Sequence, residues 1–185
     1  MPARRRVPFR ALALVASIAQ LVLAPTPSGA APPCLLPPVA APVVDRFREP
    51  PCPYCAGNRG LELAPAAGSA VVAAAPGRVS FSGSVAGVRY VVVEHQSGHR
   101  TTYGRLAGIL VRTGALVAAG TPVGTSSDRL FFGLRHGEQY LDPAPHLATV
   151  RARPQLVPLD GRNRLPARPG AVTCPAGGGG GGAFR

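Results

Sequence analysis

Two of the four cysteines stand as Cys52-Pro53-Tyr54-Cys55, the spacing of a thiol oxidoreductase site. That chemistry needs the first cysteine at a helix N-terminus after a strand, where the dipole lowers the thiol pKa. Here Pro50, Pro51, Pro53 and Gly57 surround the pair and no helical pattern follows. A structural disulfide is the better reading, ahead of a metal site and of redox catalysis. The four histidines, His95, His99, His136 and His146, are the other soft ligands in the chain. His95 and His99 have three residues between them and flank a turn. An i, i+4 pair converges on one face of a helix, but nothing makes it converge across a tight turn. A metal centre built from these histidines is a minor reading.

The elements that would hold these residues are bounded by two unusual ends. Residues 1–30 read as a signal peptide. Arg4–Arg6 and Arg10 form its positive region, Ala11 to Ala24 a 14-residue apolar core, and Ser28-Gly29-Ala30 the small residues of a cleavage site. Fourteen residues are short of the roughly 20 that a membrane span needs. The predicted mature chain therefore has no stable span, an uncleaved N-terminal anchor being the alternative. Export makes Cys34, Cys52, Cys55 and Cys174 disulfide candidates, with three pairings open. Cys34 follows Ala-Pro-Pro rather than a lipoprotein box, so lipidation is not expected. Residues 31–42 read as a proline-rich linker. Residues 149–185, rich in arginine, proline and glycine and carrying Gly177–Gly182, read as a disordered tail.

The formal charge of +12 comes entirely from arginine, with no lysine in the chain. It is concentrated at the ends. Four arginines precede Ala11 and six follow Val150, while residues 31–150 hold ten arginines against seven acids. A net +3 on the predicted domain does not make a nucleic-acid face, and no nucleic-acid partner is expected.

Between residues 43 and 148 short apolar stretches alternate with glycine turns, and no run at helical spacing is long enough to form a helix. Strands are expected at 71–75, 78–82, 90–95 and 100–106, and further ones at 122–125 and 130–135. Pro76-Gly77 and Gln96-Ser97-Gly98 are the tight joins. The fold class is all-β: one antiparallel β-sheet core, sandwich- or barrel-like, between a disordered linker and tail.

The order of these pieces resembles the LytM/lysostaphin family of zinc murein endopeptidases. "NRGLELAPAAGSAVVAAAPGRVSFSG" (58–83) resembles its opening metal motif and hairpin, and "YVVVEHQSGHRTTYGRL" (90–106) its central hairpin. "ILVRTGALVAAGTPVG" (109–124) resembles its Val/Gly segment, and "RLFFGLRHGEQYLDP" (129–143) its closing strand. Biotinyl and lipoyl carriers share the Val/Gly segment but are modified on a lysine, which this chain lacks.

The resemblance implies a site built from His-x-x-x-Asp, a Tyr-x-His-Leu histidine and a closing His-x-His. Three of these side chains hold zinc and the others orient and polarise the attacking water. The chain departs at every position. Asn58 and Glu62 stand for the first histidine and the aspartate, Arg105 for the catalytic histidine, and Arg129 and Phe131 for the closing pair. Only Glu62 remains a good zinc ligand, and arginine cannot serve as a general base. At roughly 6 Å and an effective dielectric of about 20, each of Arg105 and Arg129 would repel Zn²⁺ by about 5 kcal/mol. The expectation is a secreted or cell-envelope pseudoenzyme without catalytic residues, metal or cofactor. It would bind peptidoglycan or regulate a cell-wall hydrolase. Arg59, Glu62, Arg105 and Arg129 are the binding candidates: Glu62 bridged to Arg105 or Arg129, or an arginine turned outward onto a carboxylate. A divergent zinc metalloendopeptidase with rearranged ligands is the alternative, and a thiol–disulfide protein the third reading.

Overall fold

A computed structural model describes residues 34–52, 54–151 and 171–174. The expected signal peptide and most of the expected tail (152–170 and 175–185) lie outside the described residues. Two hairpins organise the middle of the chain. β4 (Gly77–Val85) and β5 (Val88–Glu94) are joined by Ala86-Gly87, both at positive φ (49° and 81°), the backbone twist that a two-residue hairpin turn demands. β5 turns through Gly98, at φ 77°, into β6 (His99–Ile109). Alternation sets the faces: Val91 and Val93 are fully buried and Val92 between them is not.

The two stretches expected at 122–125 and 130–135 are parts of one strand, β8 (Pro122–His136), and it is the spine of the sheet. It pairs antiparallel with β6, from His99 opposite His136 to Ile109 opposite Gly124. It also receives three short strands, β2 (Leu61–Leu63), β3 (Ala70–Val72) and β9 (Gln139–Leu141). With β1 (Val43–Asp45) and β7 (Leu116–Val117) at its edges, the sheet has nine strands in the main order β1-β2-β8-β6-β5-β4-β7. The core is the apolar face of this sheet: Leu61, Leu63, Val71, Val79, Val91, Val93, Tyr103, Val123, Leu130, Phe132 and Leu134. Each fully buried aliphatic or aromatic side chain there stabilises the fold by about 1.5–3 kcal/mol.

The proline-rich stretch expected as a linker is, from residue 34 onward, part of this structure. Leu35 is wholly buried and Val39 nearly so. Leu35 exchanges hydrogen bonds with the far end of the domain, its N–H donating to the His146 carbonyl (2.9 Å) and its carbonyl accepting from Ala148 N–H (2.7 Å). Proline lacks a donor but keeps an acceptor, and the Pro38 carbonyl takes the Val72 N–H at 2.9 Å. Stiff backbone here presents two apolar side chains to the core. The first described residues of the expected disordered tail are also ordered: β10 (Thr149–Arg151) pairs antiparallel with β11 (Ala171–Thr173). Of the three open pairings the structure has Cys34–Cys174 and Cys52–Cys55. The first of these ties the start of the domain to the strand that follows its end.

Candidate functional site

The site grows from three local irregularities around β2. Loop 49–57 leaves and rejoins the sheet at Arg48 and Asn58, whose backbones exchange two hydrogen bonds of 2.9 Å. The Cys52–Cys55 disulfide closes its tip, and the Asn58 side-chain amide donates to the Arg46 carbonyl at 3.0 Å. Next, Glu62 on β2 is the register partner of Phe131 on β8, so the two side chains share a face. The third irregularity is a bulge. Gly104 faces Phe131 but Leu106 faces Ser126, so four residues of β8 (127–130) oppose the single residue Arg105. Arg105 takes φ 61° there, a left-handed backbone that costs a non-glycine residue about 1–2 kcal/mol. Ser127 Oγ holds the distortion, lying 2.9 Å from the Arg105 carbonyl oxygen and 2.7 Å from that of Arg129.

These irregularities bring Asn58, Glu62, Arg105 and Phe131 around one cleft of about 270 Å³, with Gly57, Arg59 and Tyr90 completing the wall. The Phe131 ring lies in a bed of glycines. A Cβ at Gly60 would come within 2.8 Å of the ring and one at Gly133 within 3.0 Å. Tyr90 closes over Gly104 in the same way, at 2.6 Å from where a Cβ would be. Sequence reasoning did not single out Tyr90, although its place on the outward face of β5 follows from the alternation. Arg129, expected at the same centre, is exposed and does not line the cleft. Its charge reaches Asp45, whose carboxyl is held below the usual range mainly by a hydrogen bond from Arg48 and only slightly by Arg129.

Glu62 is the electrostatic centre. It is 8% exposed, and its Oε1 lies 3.3 Å from Nη2 of Arg105, whose side chain is 53% exposed. Its Oε2 is buried and has no hydrogen-bond partner among the described residues. Of the two bridges expected from the sequence, the one to Arg105 is formed. Arg59 runs the other way, its guanidinium 5.5 Å from the ring centroid of Tyr140, which Arg135 also approaches at 5.7 Å. A second, more apolar hollow of about 410 Å³ continues from the cleft across the sheet, sharing Arg59 and Phe131 with it.

These donors do not fit a zinc ion. Phe131 has no lone pair, Asn58 offers only a neutral amide oxygen, with its NH2 held by the Arg46 carbonyl, and the one carboxylate is already engaged by a guanidinium. Among the described residues no group of three or more His, Cys, Asp or Glu side chains could hold a metal. The histidines are placed otherwise. His95 is buried, with Nδ1 2.8 Å from the Pro76 carbonyl and Nε2 2.9 Å from the Thr101 hydroxyl. Thr101 and Tyr103 hydroxyls share a 3.1 Å hydrogen bond, and Tyr103 accepts the Ala74 N–H at 2.7 Å. Burial holds the His95 pKa below its ordinary value, so the ring is neutral. A neutral ring has one donor, which Pro76 must receive, so Thr101 donates to Nε2 and Tyr103 donates to Thr101. Burial pushes the Tyr103 phenol up to about 12. This relay braces the core and does not open on the cleft. His99 and His136 face each other across β6 and β8 with ring centroids 4.6 Å apart.

Comparison with known proteins gives this geometry a setting. Residues 56–143 match the family model described as peptidase family M23. The murein hydrolase activator NlpD of Salmonella dublin is 32% identical over 99 residues, covering 49% of this chain and 26% of the relative. The uncharacterized lipoprotein YgeR of Escherichia coli K12 is 27% identical over 143 residues, covering 70% of this chain and 57% of YgeR. The chain thus matches about a quarter of NlpD's length and little more than half of YgeR's. The solution structure of lysostaphin, a Staphylococcus simulans peptidase, superposes with a TM-score of 0.51 at 20% identity, covering 57% of this chain and 49% of that one. That likeness is one of fold.

Proposed function

We propose, from the match of residues 56–143 to peptidase family M23, that the protein is a catalytically inactive member of the LytM/lysostaphin type that regulates a cell-wall hydrolase and grips peptidoglycan rather than cutting it. The observation that supports this most is the Glu62–Arg105 pair. It puts a fixed cation on the only good zinc ligand of the cleft, opposite an aromatic ring that can donate nothing. A three-ligand site with an open position is what zinc-dependent hydrolysis needs, and these residues do not make one.

The setting is the cell envelope or the secreted fraction. The relatives are named as lipoproteins and murein hydrolase activators, and the two disulfides suit an oxidising compartment. No helix among the described residues is long and apolar enough to cross a membrane. On this reading residues 1–30 carry the chain across the membrane as a cleaved signal. The name of NlpD suggests the mode of action: the M23 domain presents its cleft to the wall or to a hydrolase, and occupancy alters that hydrolase's rate.

Two measurements on the purified protein test the reading. Metal analysis after incubation with excess zinc and desalting is expected to find well under one zinc per chain, and purified sacculi to stay turbid. The protein is expected to co-sediment with sacculi or to change the rate of an added cell-wall hydrolase. One tightly held zinc per chain, with clearing that a chelator abolishes, would overturn it in favour of a divergent metalloendopeptidase.

A further inference from the structure

Two features of the cleft cost the fold free energy. Arg105 sits at φ 61° at the head of the bulge. The protein otherwise places glycine at its positive-φ positions among the described residues, Ala86 in the exposed β4–β5 turn being the other departure. Glu62 is nine-tenths buried with one oxygen partnered and the other orphaned among the described residues. A backbone outlier and an unsatisfied buried carboxylate oxygen on one cleft wall point the same way. Both are expected at a site that is completed by something it binds.

The chemistry of that missing partner can be read from the two groups. Glu62 Oε2 needs a donor, best a cationic one in so dry a place. Arg105 has five N–H donors and uses few of them on Glu62. The half-exposed Arg105 side chain, paired with Glu62 at 3.3 Å, can swing outward while Ser127 keeps its backbone in place. We infer that the cleft is a receptor for a zwitterionic amino-acid head group, its ammonium seated on the Glu62 carboxylate and its carboxylate gripped by the displaced Arg105 guanidinium. The exchange conserves charge: one carboxylate and one guanidinium before binding, two ion pairs after it. Tyr90 and Phe131 form the apolar wall against which the side chain of the bound residue rests. Arg59, engaged near Tyr140 at the other lip, adds positive potential and so favours a ligand whose carboxylate leads. This deepens the proposed function, since it rests on the cleft being a binding site without zinc, and it specifies what is gripped: a wall-peptide branch whose tip keeps both a free α-ammonium and its own carboxylate.

Backbone-amide NMR titration of the whole protein with three small probes tests it. The probes are D-alanine, which carries both charges, propionate, which carries only the anion, and ethylamine, which carries only the cation. D-alanine is expected to shift the signals of Glu62, Arg105 and Tyr90 with about millimolar affinity, as six heavy atoms allow. Its affinity should exceed that of either single-charge probe at least tenfold. Glu62→Gln keeps the side-chain volume and should lose D-alanine binding tenfold or more while the rest of the spectrum stays in place. Propionate binding as well as D-alanine, unchanged binding by Glu62→Gln, or no shift with any probe would each overturn the inference. Those failures differ from a failure of the underlying reading, which would show as stoichiometric zinc. Hydrolase regulation that persists without zwitterion binding would sink this inference alone.

Discussion

If Glu62 serves a ligand rather than the fold, removing its charge stabilises the free protein. Glu62→Met keeps the approximate volume and the unbranched shape in β2, between Leu61 and Leu63, both buried. The substitution abolishes one orphaned buried oxygen, whose cost is about 1–3 kcal/mol. It also forfeits the pair with Arg105, a contact of 3.3 Å to a guanidinium that is half in solvent. Such exposed-side partners contribute about 0–1 kcal/mol, and Arg105, once released, is rehydrated where it stands. The apolar Met side chain then packs against Phe131, its register neighbour. The net expectation is about 1–2 kcal/mol of added stability, or roughly 3–6 °C in Tm for a domain of this size. Urea denaturation with an unchanged m-value measures it directly. A Glu62→Met protein less stable than wild type by 1 kcal/mol or more would mean that the carboxylate braces the strands. The trade between stability and binding argued above would then be wrong.

Four further outcomes follow from the same structure. Removing Cys34–Cys174, which closes a loop of 140 residues in sequence separation, is expected to cost about 5 kcal/mol, against about 2 kcal/mol for Cys52–Cys55 with its separation of 3; equal losses in paired Cys→Ser variants would refute the loop-entropy argument. His95, His99 and His146 all have pKa values held below the ordinary 6.5, chiefly by burial, so below about pH 6.5 the unfolded chain binds more protons than the folded one. Stability should therefore be flat from about pH 7 to 9 and fall below 6.5, by at most about 1.4 kcal/mol per pH unit for each histidine, and a melting temperature that rises on mild acidification would contradict it. Arg105→Gly should be more stable than Arg105→Ala by about 1 kcal/mol, since both lose the ion pair but only glycine accepts φ 61° without strain, and identical unfolding midpoints would remove the strain argument. Asn58→His, Glu62→Asp and Phe131→His together should recover zinc binding by metal analysis, with activity further requiring Arg105→His; a triple variant that still holds no metal would show that the cleft has lost its geometry as well as its ligands.

How far the sequence revealed all this depended on the length of each pattern. β4, β5 and β6 are legible because stretches of strand-forming sequence at 78–82, 90–95 and 100–106 lie beside the tight joins Pro76-Gly77 and Gln96-Ser97-Gly98. β1, β7 and β9 have two or three residues each, too few for a period to appear. β2 is buried at all three positions, so no alternation marks it. Proline density usually means an extended, solvated chain, which is why the opening segment reads as a linker. Here Leu35 and Val39 decide otherwise, and only the tertiary partners His146, Ala148 and Ala74 make that visible. At the cleft, the resemblance to the LytM/lysostaphin family locates Asn58 and Phe131 as poor ligands and leaves Glu62 to pair with either Arg105 or Arg129. The positive φ of Arg105 and the orphaned oxygen of Glu62 were not readable, because both arise from the four-to-one bulge against β8. Arg129 sits in the wide side of that bulge, which is why spacing along the strand suggested a cleft position that it does not occupy.

The bulge is also the link between the two halves of the functional argument. A continuous β6–β8 ladder would keep residue 105 at ordinary extended dihedrals. The bulge instead sets it in the left-handed region and on the wall of the cleft beside Glu62. In a metal-dependent relative, the histidine that resembles this position would deliver a base to the reacting centre. Here the same delivery brings a guanidinium, which can take no proton but can hold two oxygens of a carboxylate at once. The backbone geometry is thus indifferent to whether the side chain it presents catalyses or grips. What changes the outcome is the partner on β2: a carboxylate beside a metal activates water, whereas a carboxylate beside an arginine selects a charge pattern. On the proposed reading, the cleft needs no new architecture to recognise a charged end where a metal-dependent relative would cut, only a change of side chains at positions 58, 62, 105 and 131.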